Sequence, residues 1–295
     1  MKPKLILVES FLVPKQDKKT RLSDFVPGIF ITLSSKKGMK KAIDKGLVKI
    51  NGKVAYTADF IRGGETIELY QQEISKKLPV IDVELEVLFE DDYLALINKP
   101  PGIEVSGNKK WVLENALPNN LKPSSQKDAL QRAQAIHRLD FPTSGVLLVG
   151  KTLQMVMILN RLFEERNVEK TYHAVCIGEM ENNGVIQSDI DGKNAESIYC
   201  VLKKVPSVRF GFLNLVELLP HTGRKHQLRK HMAKLGNPIL GDVTYGKEGL
   251  ILKGKGLYLH ASSLNFIHPV TGEQLCITAP LPKKFIKIFK AKIIG

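Results

Sequence analysis

Cysteine is scarce in this chain, and what there is does not pair. Of 295 residues only Cys176, Cys200 and Cys276 carry a thiol; they are odd in number, far apart, and form no Cys-x-x-Cys pair. That pattern suggests neither a disulfide framework nor a cysteine zinc site. Long apolar runs are missing as well. The stretch Leu5-Ile6-Leu7-Val8 is cut short by Glu9, whereas a secretory signal needs a longer uncharged run and a membrane span about 20 apolar residues. A cytoplasmic protein with no membrane partner is the expectation. Acids are in deficit: 30 Asp and Glu face 44 Lys and Arg, a formal net charge of +14. Such a surface attracts polyanions, and phosphate neutralisation dominates non-specific nucleic-acid affinity; a solvated basic surface with no partner is the plainer alternative. Hydrophobic residues at 43% allow a substantial core, and the length suits one large domain with one small one.

Along the chain, residues 1–16 carry no clear periodic signal and are expected to be an extension. Residues 17–72 differ. Lys36 to Lys45 predicts a short basic helix stopped by Gly46, followed by two strand-like pieces, LVKING and ETIELY. Between Lys15 and Lys53 eleven basic residues, Lys41 and Lys45 among them, stand against Asp17, Asp24 and Asp44, so a phosphate-contacting face is expected there. Residues 73–82, polar and then proline-terminated, predict a linker. From 83 to 295 strands and helices do not alternate regularly, which predicts an α+β domain around a largely antiparallel sheet. Its pieces include a strand ending at the Lys99-Pro100-Pro101-Gly102 turn, a short helix in QKDALQRAQA, a buried strand over Gly145 to Val149, and a helix over Leu153 to Phe163. Further strands are expected at Tyr172 to Ile177, Phe212 to Leu219 and Gly256 to Leu264.

Asp140, in HRLDFPTSG, is the acid with the most ordered flanks. Pro142 fixes its own φ and biases Phe141 toward extended backbone, while Gly145 permits a tight approach, so the carboxylate is positioned on a rigid loop; a turn-capping Asp is the bland reading. Arg138 can hold phosphate or fill space beside a nucleotide, and His137 is better suited to structural hydrogen bonding, since no Ser or Cys pairs with it. Glycoside hydrolases use two carboxylates; a site with one suits a reaction that keeps its leaving group and activates no water. In HTGRKHQLRKHM the histidines fall at 221, 226 and 231. On a helix, steps of five rotate by about 140°, so the three cannot share a metal-binding face. Arg224, Lys225, Arg229 and Lys230 offer cations at several angles, one of which can pair with Asp140 and keep it ionised. Tyr172 opens a strand and can present its ring to a base, or simply fill core space.

Read end to end, these segments are specific. VLFEDDYLALINKPPG, HRLDFPTSGVLLVGKT, the Lys170-Thr171-Tyr172 strand, HTGRKHQLRKHMAKLGNPILGD, LYLHASSLNFIHP and APLP together resemble the RluA-type pseudouridine synthases over about residues 81 to 283. Two departures are visible: Gly150 where the family commonly has Ala, and Lys225 where Thr or Ser is usual. The run from Arg21-Leu22 through Lys41-Ala42-Ile43, Gly46-Leu47-Val48-Lys49-Ile50-Asn51-Gly52 and Gly64-Glu65-Thr66-Ile67 resembles the small RNA-binding domain named after ribosomal protein S-four, although Pro27 to Leu33 lacks its usual leucine-rich helix.

The resemblance implies a pseudouridine synthase fold with a central, largely antiparallel or mixed sheet, an N-terminal S-four-like domain, no metal or organic cofactor, and a structured RNA as substrate. It implies that Asp140 acts on the sugar of a flipped uridine, whose uracil detaches, turns and rejoins through a ring carbon. Tyr172 would stack on the base and take part in proton removal, and Arg229 would pair with the carboxylate. Arg138 would occupy the gap left by the flipped nucleotide, with Leu259 as the apolar wall beneath the base. An S-four-like domain favours large-subunit ribosomal RNA over transfer RNA, and a monomer is the default. A non-catalytic RNA-binding or ribosome-assembly protein, or an RNA nucleosidase using Asp140, are the competing readings.

Overall fold

The computed structural model describes residues 5–30, 33, 35–72, 79–252 and 254–290. The chain divides into two compact units, residues 1–79 and 80–295.

The small unit contains strands β1 (Leu5–Leu12) and β2 (Thr20–Arg21), helices α1 (Leu22–Phe25) and α2 (Lys36–Asp44), and strands β3 (Val48–Ile50), β4 (Lys53–Val54), β5 (Phe60–Ile61) and β6 (Thr66–Gln72). Its four-stranded sheet has the order β1-β6-β3-β4. The extension expected over residues 1–16 is therefore corrected: Leu5 to Leu12 pair with β6 along its length. A register shift between Leu7 and Glu9 interrupts the period-two pattern, and that bulge hides the strand from a periodicity reading. Helix α2 starts where Ser35 Oγ accepts the Gly38 N–H at 3.1 Å, buries Met39, Ala42 and Ile43, and gives way to Gly46 at φ +67°. Of the expected linker, residues 73–78 lie outside the described residues, whereas Ile81 is packed into the core of the large unit.

The large unit runs through β7 (Glu86–Glu90), β8 (Leu94–Lys99), α3 (Leu117–Asn120), β9 (Ala129–Ala135), β10 (Ser144–Thr152), α4 (Leu153–Glu164), β11 (Glu169–Ile177) and β12 (Asn183–Gln187). It continues through β13 (Glu196–Ser207), β14 (Gly211–Pro220), α5 (Gln227–Lys234), β15 (Leu259–Ile267), β16 (Gln274–Thr278) and α6 (Lys283–Lys290). A ten-stranded mixed sheet has the order β12-β13-β14-β11-β15-β10-β8-β7, with β9 beside β10 and β16 beside β15. Among the described residues its pairings are antiparallel except that of β10 with β15.

Strand β10 is buried throughout, because both faces of the sheet centre are covered. Leu147 and Val149 pack with Ala95, Ile97, Ile103 and Leu113 on one side. Val146 and Leu148 pack with Leu94, Leu96 and the Met155, Val156 and Leu159 stripe of α4 on the other. Each of the Leu, Ile, Val and Met side chains contributes about 1.5–3 kcal/mol by leaving water. The helix expected in QKDALQRAQA is a strand, β9: its register against β10 runs from Val149↔Ala135 to Thr152↔Ala129, and sheet pairing overrides the helical propensity of Ala, Leu, Gln and Arg. Strand β15 begins at Leu259, later than the expected Gly256, whose φ of +67° is not an extended conformation. At the parallel junction Gly145 has φ +117°, and a Cβ there would lie 2.1 Å from the carbonyl oxygen of Ala261. Only glycine lets β10 and β15 meet at this point. Both strands start here, so the loop before β10, the start of β15 and the Tyr172–Ala174 stretch of β11 that pairs with it converge.

Candidate active site

At that convergence lies a cavity of about 360 Å³. The sequence-derived candidates His137, Arg138, Asp140, Tyr172, Arg224, Arg229 and Leu259 all line it. Lys41, on α2, and Lys45, which caps its C-terminal end, stand exposed in the small unit.

Asp140 sits on a loop closed by the Thr143 N–H donating to its carbonyl at 3.0 Å. From beneath, the buried Lys99 ammonium donates to the carbonyls of Thr143 (2.8 Å), Pro100 (3.0 Å) and Phe141 (3.4 Å). Burial draws the Lys99 pKa down to about 8, with the Asp140 carboxylate acting in the opposite sense. Lys99 thus ties the end of β8 to the loop that carries the carboxylate, a role not visible when Lys-Pro-Pro-Gly is read only as a turn.

The Asp140 side chain retains 17% exposure, toward the cavity. Arg229 Nη1 donates to its Oδ2 at 3.3 Å, and His226 Nε2 lies 3.7 Å from its Oδ1. Arg229 is itself buried and held by a second acid that the sequence reading did not single out. Its Nε and Nη2 donate to the two carboxylate oxygens of Asp242 at 2.7 and 2.8 Å. The Asp242 Oδ1 also accepts the N–H groups of Thr244 and Tyr245, and the Arg229 guanidinium lies 5.0 Å from the Tyr245 ring centre. Burial alone would push the Asp242 carboxyl up; the Arg229 fork and the two backbone donors outweigh it and hold it below the usual carboxylate range.

The three histidines expected on one helix do not share one. Helix α5 begins only at Gln227, so His221 and His226 precede it and His231 alone is helical. Gln227 fastens this loop: its Oε1 accepts from the Thr222 hydroxyl (2.6 Å) and the Arg224 N–H (3.0 Å). His226 takes up φ +56°, and its Nδ1 lies 2.9 Å from the Tyr245 hydroxyl. Among the described residues no group of three or more His, Cys, Asp or Glu is placed to hold a metal ion.

His137 accepts the Leu148 N–H on Nε2 at 3.1 Å and stacks on Phe163, ring centres 4.9 Å apart. Burial draws its pKa down to about 3, so it is a neutral structural group in the cavity wall. Arg138 is exposed at the rim. Burial and the nearby Asp140 charge push the Tyr172 phenol above its ordinary pKa, so it stays protonated. No helix among the described residues is long and apolar enough to cross a membrane.

Residues 93–234 match the family model described as RNA pseudouridylate synthase. The chain is similar to "Ribosomal large subunit pseudouridine synthase D" of Xanthomonas campestris, with 33% identity over 87% of this chain and 84% of that protein. It is also similar to "tRNA pseudouridine synthase C" of Vibrio parahaemolyticus, with 33% identity over 70% and 94%. Among solved structures, "Human RNA Pseudouridylate Synthase Domain Containing 4" is similar at 28% identity and a TM-score of 0.56, covering 68% of this chain and 90% of that one.

Proposed function

This chain belongs to the RNA pseudouridylate synthase family and isomerises uridines in RNA, and from that premise we propose that its substrate is large-subunit ribosomal RNA and that Asp140 is its catalytic carboxylate. The observation that carries the assignment is the Arg229–Asp140 contact at 3.3 Å on the wall of the cavity, with Arg229 locked from behind by Asp242. Glycoside hydrolysis calls for a second free carboxylate to manage water. Here the second acid is tied to Arg229 through both oxygens, so a nucleosidase reaction lacks its partner group.

In this reading the target uridine leaves its helix at a cost of a few kcal/mol. Arg138, exposed at the rim, takes the vacated space. The base lies against the Tyr172 ring with Leu259 as the apolar wall, and stacking of this kind is worth roughly 1–3 kcal/mol. Asp140, ionised beside the guanidinium, acts on the ribose as the N1–C1′ bond opens. The uracil, held in the cavity, turns and is rejoined to C1′ through C5. Arg224 and Lys225 line the same cavity and supply positive charge for the flanking phosphates.

Ribosomal RNA is favoured by the extent of the similarity. The large unit makes up under three quarters of the chain, so a match over 87% of it to a ribosomal large-subunit enzyme extends into the small unit. We read that unit as an S-four-like RNA-binding module, acting in the cytoplasm as part of a monomer. The test is tritium release from RNA labelled at uracil C5. Release from large-subunit RNA of cells lacking the gene, and none from their transfer RNA, is expected; release from transfer RNA alone would reassign the substrate, and free uracil with abasic RNA would make the protein a nucleosidase.

A second experiment addresses Lys41 and Lys45. Replacing both by alanine in the full chain is expected to weaken RNA binding and to reduce the slope of log affinity against log salt by about two, one per lost phosphate contact. An unchanged slope would remove α2 from the RNA interface.

A further inference from the structure

Isomerisation at C5 leaves one chemical problem that Asp140, Tyr172 and Arg229 do not solve. Once C5 is bonded to C1′ it still carries its hydrogen, and aromaticity returns only when that C–H bond breaks, its electron pair entering the ring. A base must receive the proton. Arg229 is a cation. The resemblance gives Tyr172 a part in proton removal, but burial and the Asp140 charge push its phenol up and keep it protonated, so it does not receive the proton directly. Asp140 already has work at the ribose. From the geometry we infer that His226 is the base that takes the C5 proton, on Nε2; this rests on the assignment of Asp140 made above.

Three features of the site support it. First, His226 lines the cavity, and its Nε2 is 3.7 Å from Asp140 Oδ1. A carbon bonded to the C1′ that Asp140 addresses falls within reach of that nitrogen. Second, the other ring nitrogen is engaged: Nδ1 lies 2.9 Å from the Tyr245 hydroxyl. We take the tautomer in which Nδ1–H donates to the Tyr245 oxygen, so that the lone pair is on Nε2, the nitrogen on the Asp140 side of the ring. Third, the ring is held there by an unusual backbone. His226 occupies the left-handed region at φ +56° immediately before α5 and makes no capping bond, and such strain clusters at functional sites.

The electrostatics agree. Partial burial, together with the cations Arg229, Lys225 and Lys230, draws the His226 pKa below its ordinary value, Asp140 acting in the opposite sense. The imidazole is therefore neutral and able to accept a proton near neutral pH. Once protonated it lies beside the Asp140 carboxylate, which stabilises the cation. The imidazolium then gives its proton to water, while N1 of the turned uracil takes one from solvent, so the isomerisation is proton-neutral overall.

His226→Asn is the discriminating variant. Asn adopts left-handed backbone readily, and its amide stands where Nδ1 does, so the Tyr245 bond is kept while Nε2 is lost. On uridine RNA, kcat is expected to fall about 10²- to 10³-fold with little change in KM, as for loss of a general base. A primary isotope effect is expected to appear when C5 carries deuterium, because proton removal has become rate-limiting. RNA containing 5-fluorouridine has no C5 proton to lose, and its rearrangement to the C–C glycoside should proceed in the variant as in the wild type. Equal slowing on both RNAs without an isotope effect would overturn the inference and make His226 a positioning group for Asp140. Asp140→Asn must silence both RNAs; should it still rearrange the fluorinated one, the Asp140 assignment fails, whatever His226 does.

Discussion

Replacing Asp140 by asparagine is expected to abolish turnover, by more than about 10⁴-fold, while leaving the fold and RNA affinity in place. Loss of a group on which the chemistry depends has effects of this order or larger. The stability side follows from the contacts. Asparagine matches the volume of aspartate and can still accept from Arg229 Nη1, now 3.3 Å from Oδ2. More important, Arg229 keeps its two bonds to Asp242 at 2.7 and 2.8 Å, so no buried charge is left without a partner, the circumstance that makes broken ion pairs costly. Tritium release measures the first effect, and thermal melting with a gel-shift titration on the same RNA measures the second. Normal turnover in Asp140→Asn would move the chemistry to another residue; a large drop in melting temperature would mean that the carboxylate is part of the framework.

That Asp140 was legible in the sequence, and much of its support was not, has a physical reason. HRLDFPTSG carries its own local evidence: a proline that stiffens the loop and a glycine that, at φ +117°, alone fits against the carbonyl of Ala261. Strand β10 and helix α4 were equally visible, since a fully buried strand and an amphipathic helix leave plain patterns in hydrophobicity. Lys99, Asp242 and His226 leave none. Lys99 is separated by 42 and 44 residues from the Phe141 and Thr143 carbonyls it holds, and its meaning arises only when β8 and β10 pair. Asp242 looks like a loop residue after Ile239-Leu240-Gly241 until the chain brings it under Arg229; an acid following so apolar a stretch was the one available signal. The histidines at intervals of five suggest positions on one helix, but the helix starts only at Gln227, and His226 occupies a left-handed turn before it. The same limit explains β9 and β1. In the first, pairing with a neighbour outweighed local propensity; in the second, a bulge erased the alternation.

Asp242 is where the second large effect is expected, on stability and activity together. Asp242→Asn removes the carboxylate that meets a guanidinium 5% exposed to solvent through two bonds, leaving only the 3.3 Å contact with Asp140, and breaking a buried pair from one side costs up to about 3–5 kcal/mol. For a unit of this size that is a fall in melting temperature on the order of 10 °C. Turnover at temperatures where the variant is still folded should fall about 10²-fold, because Arg229 would be free to swing from the position in which it meets Asp140. The pH dependence fixes the cause. The folded-state pKa of Asp242 lies below the usual range, so its stabilisation is complete above the unfolded carboxyl value of about 4 and is lost as pH falls through the lower folded value. The gap in melting temperature between wild type and Asp242→Asn should therefore be constant from about pH 8 to pH 5. It should then narrow below about pH 4, as the wild type is protonated into the state of the variant. A gap that persists in acid would mean that packing, not charge, is what Asp242 supplies. Equal melting at every pH would show that Arg229 keeps its place without it, and the second acid would then have no part in setting the first.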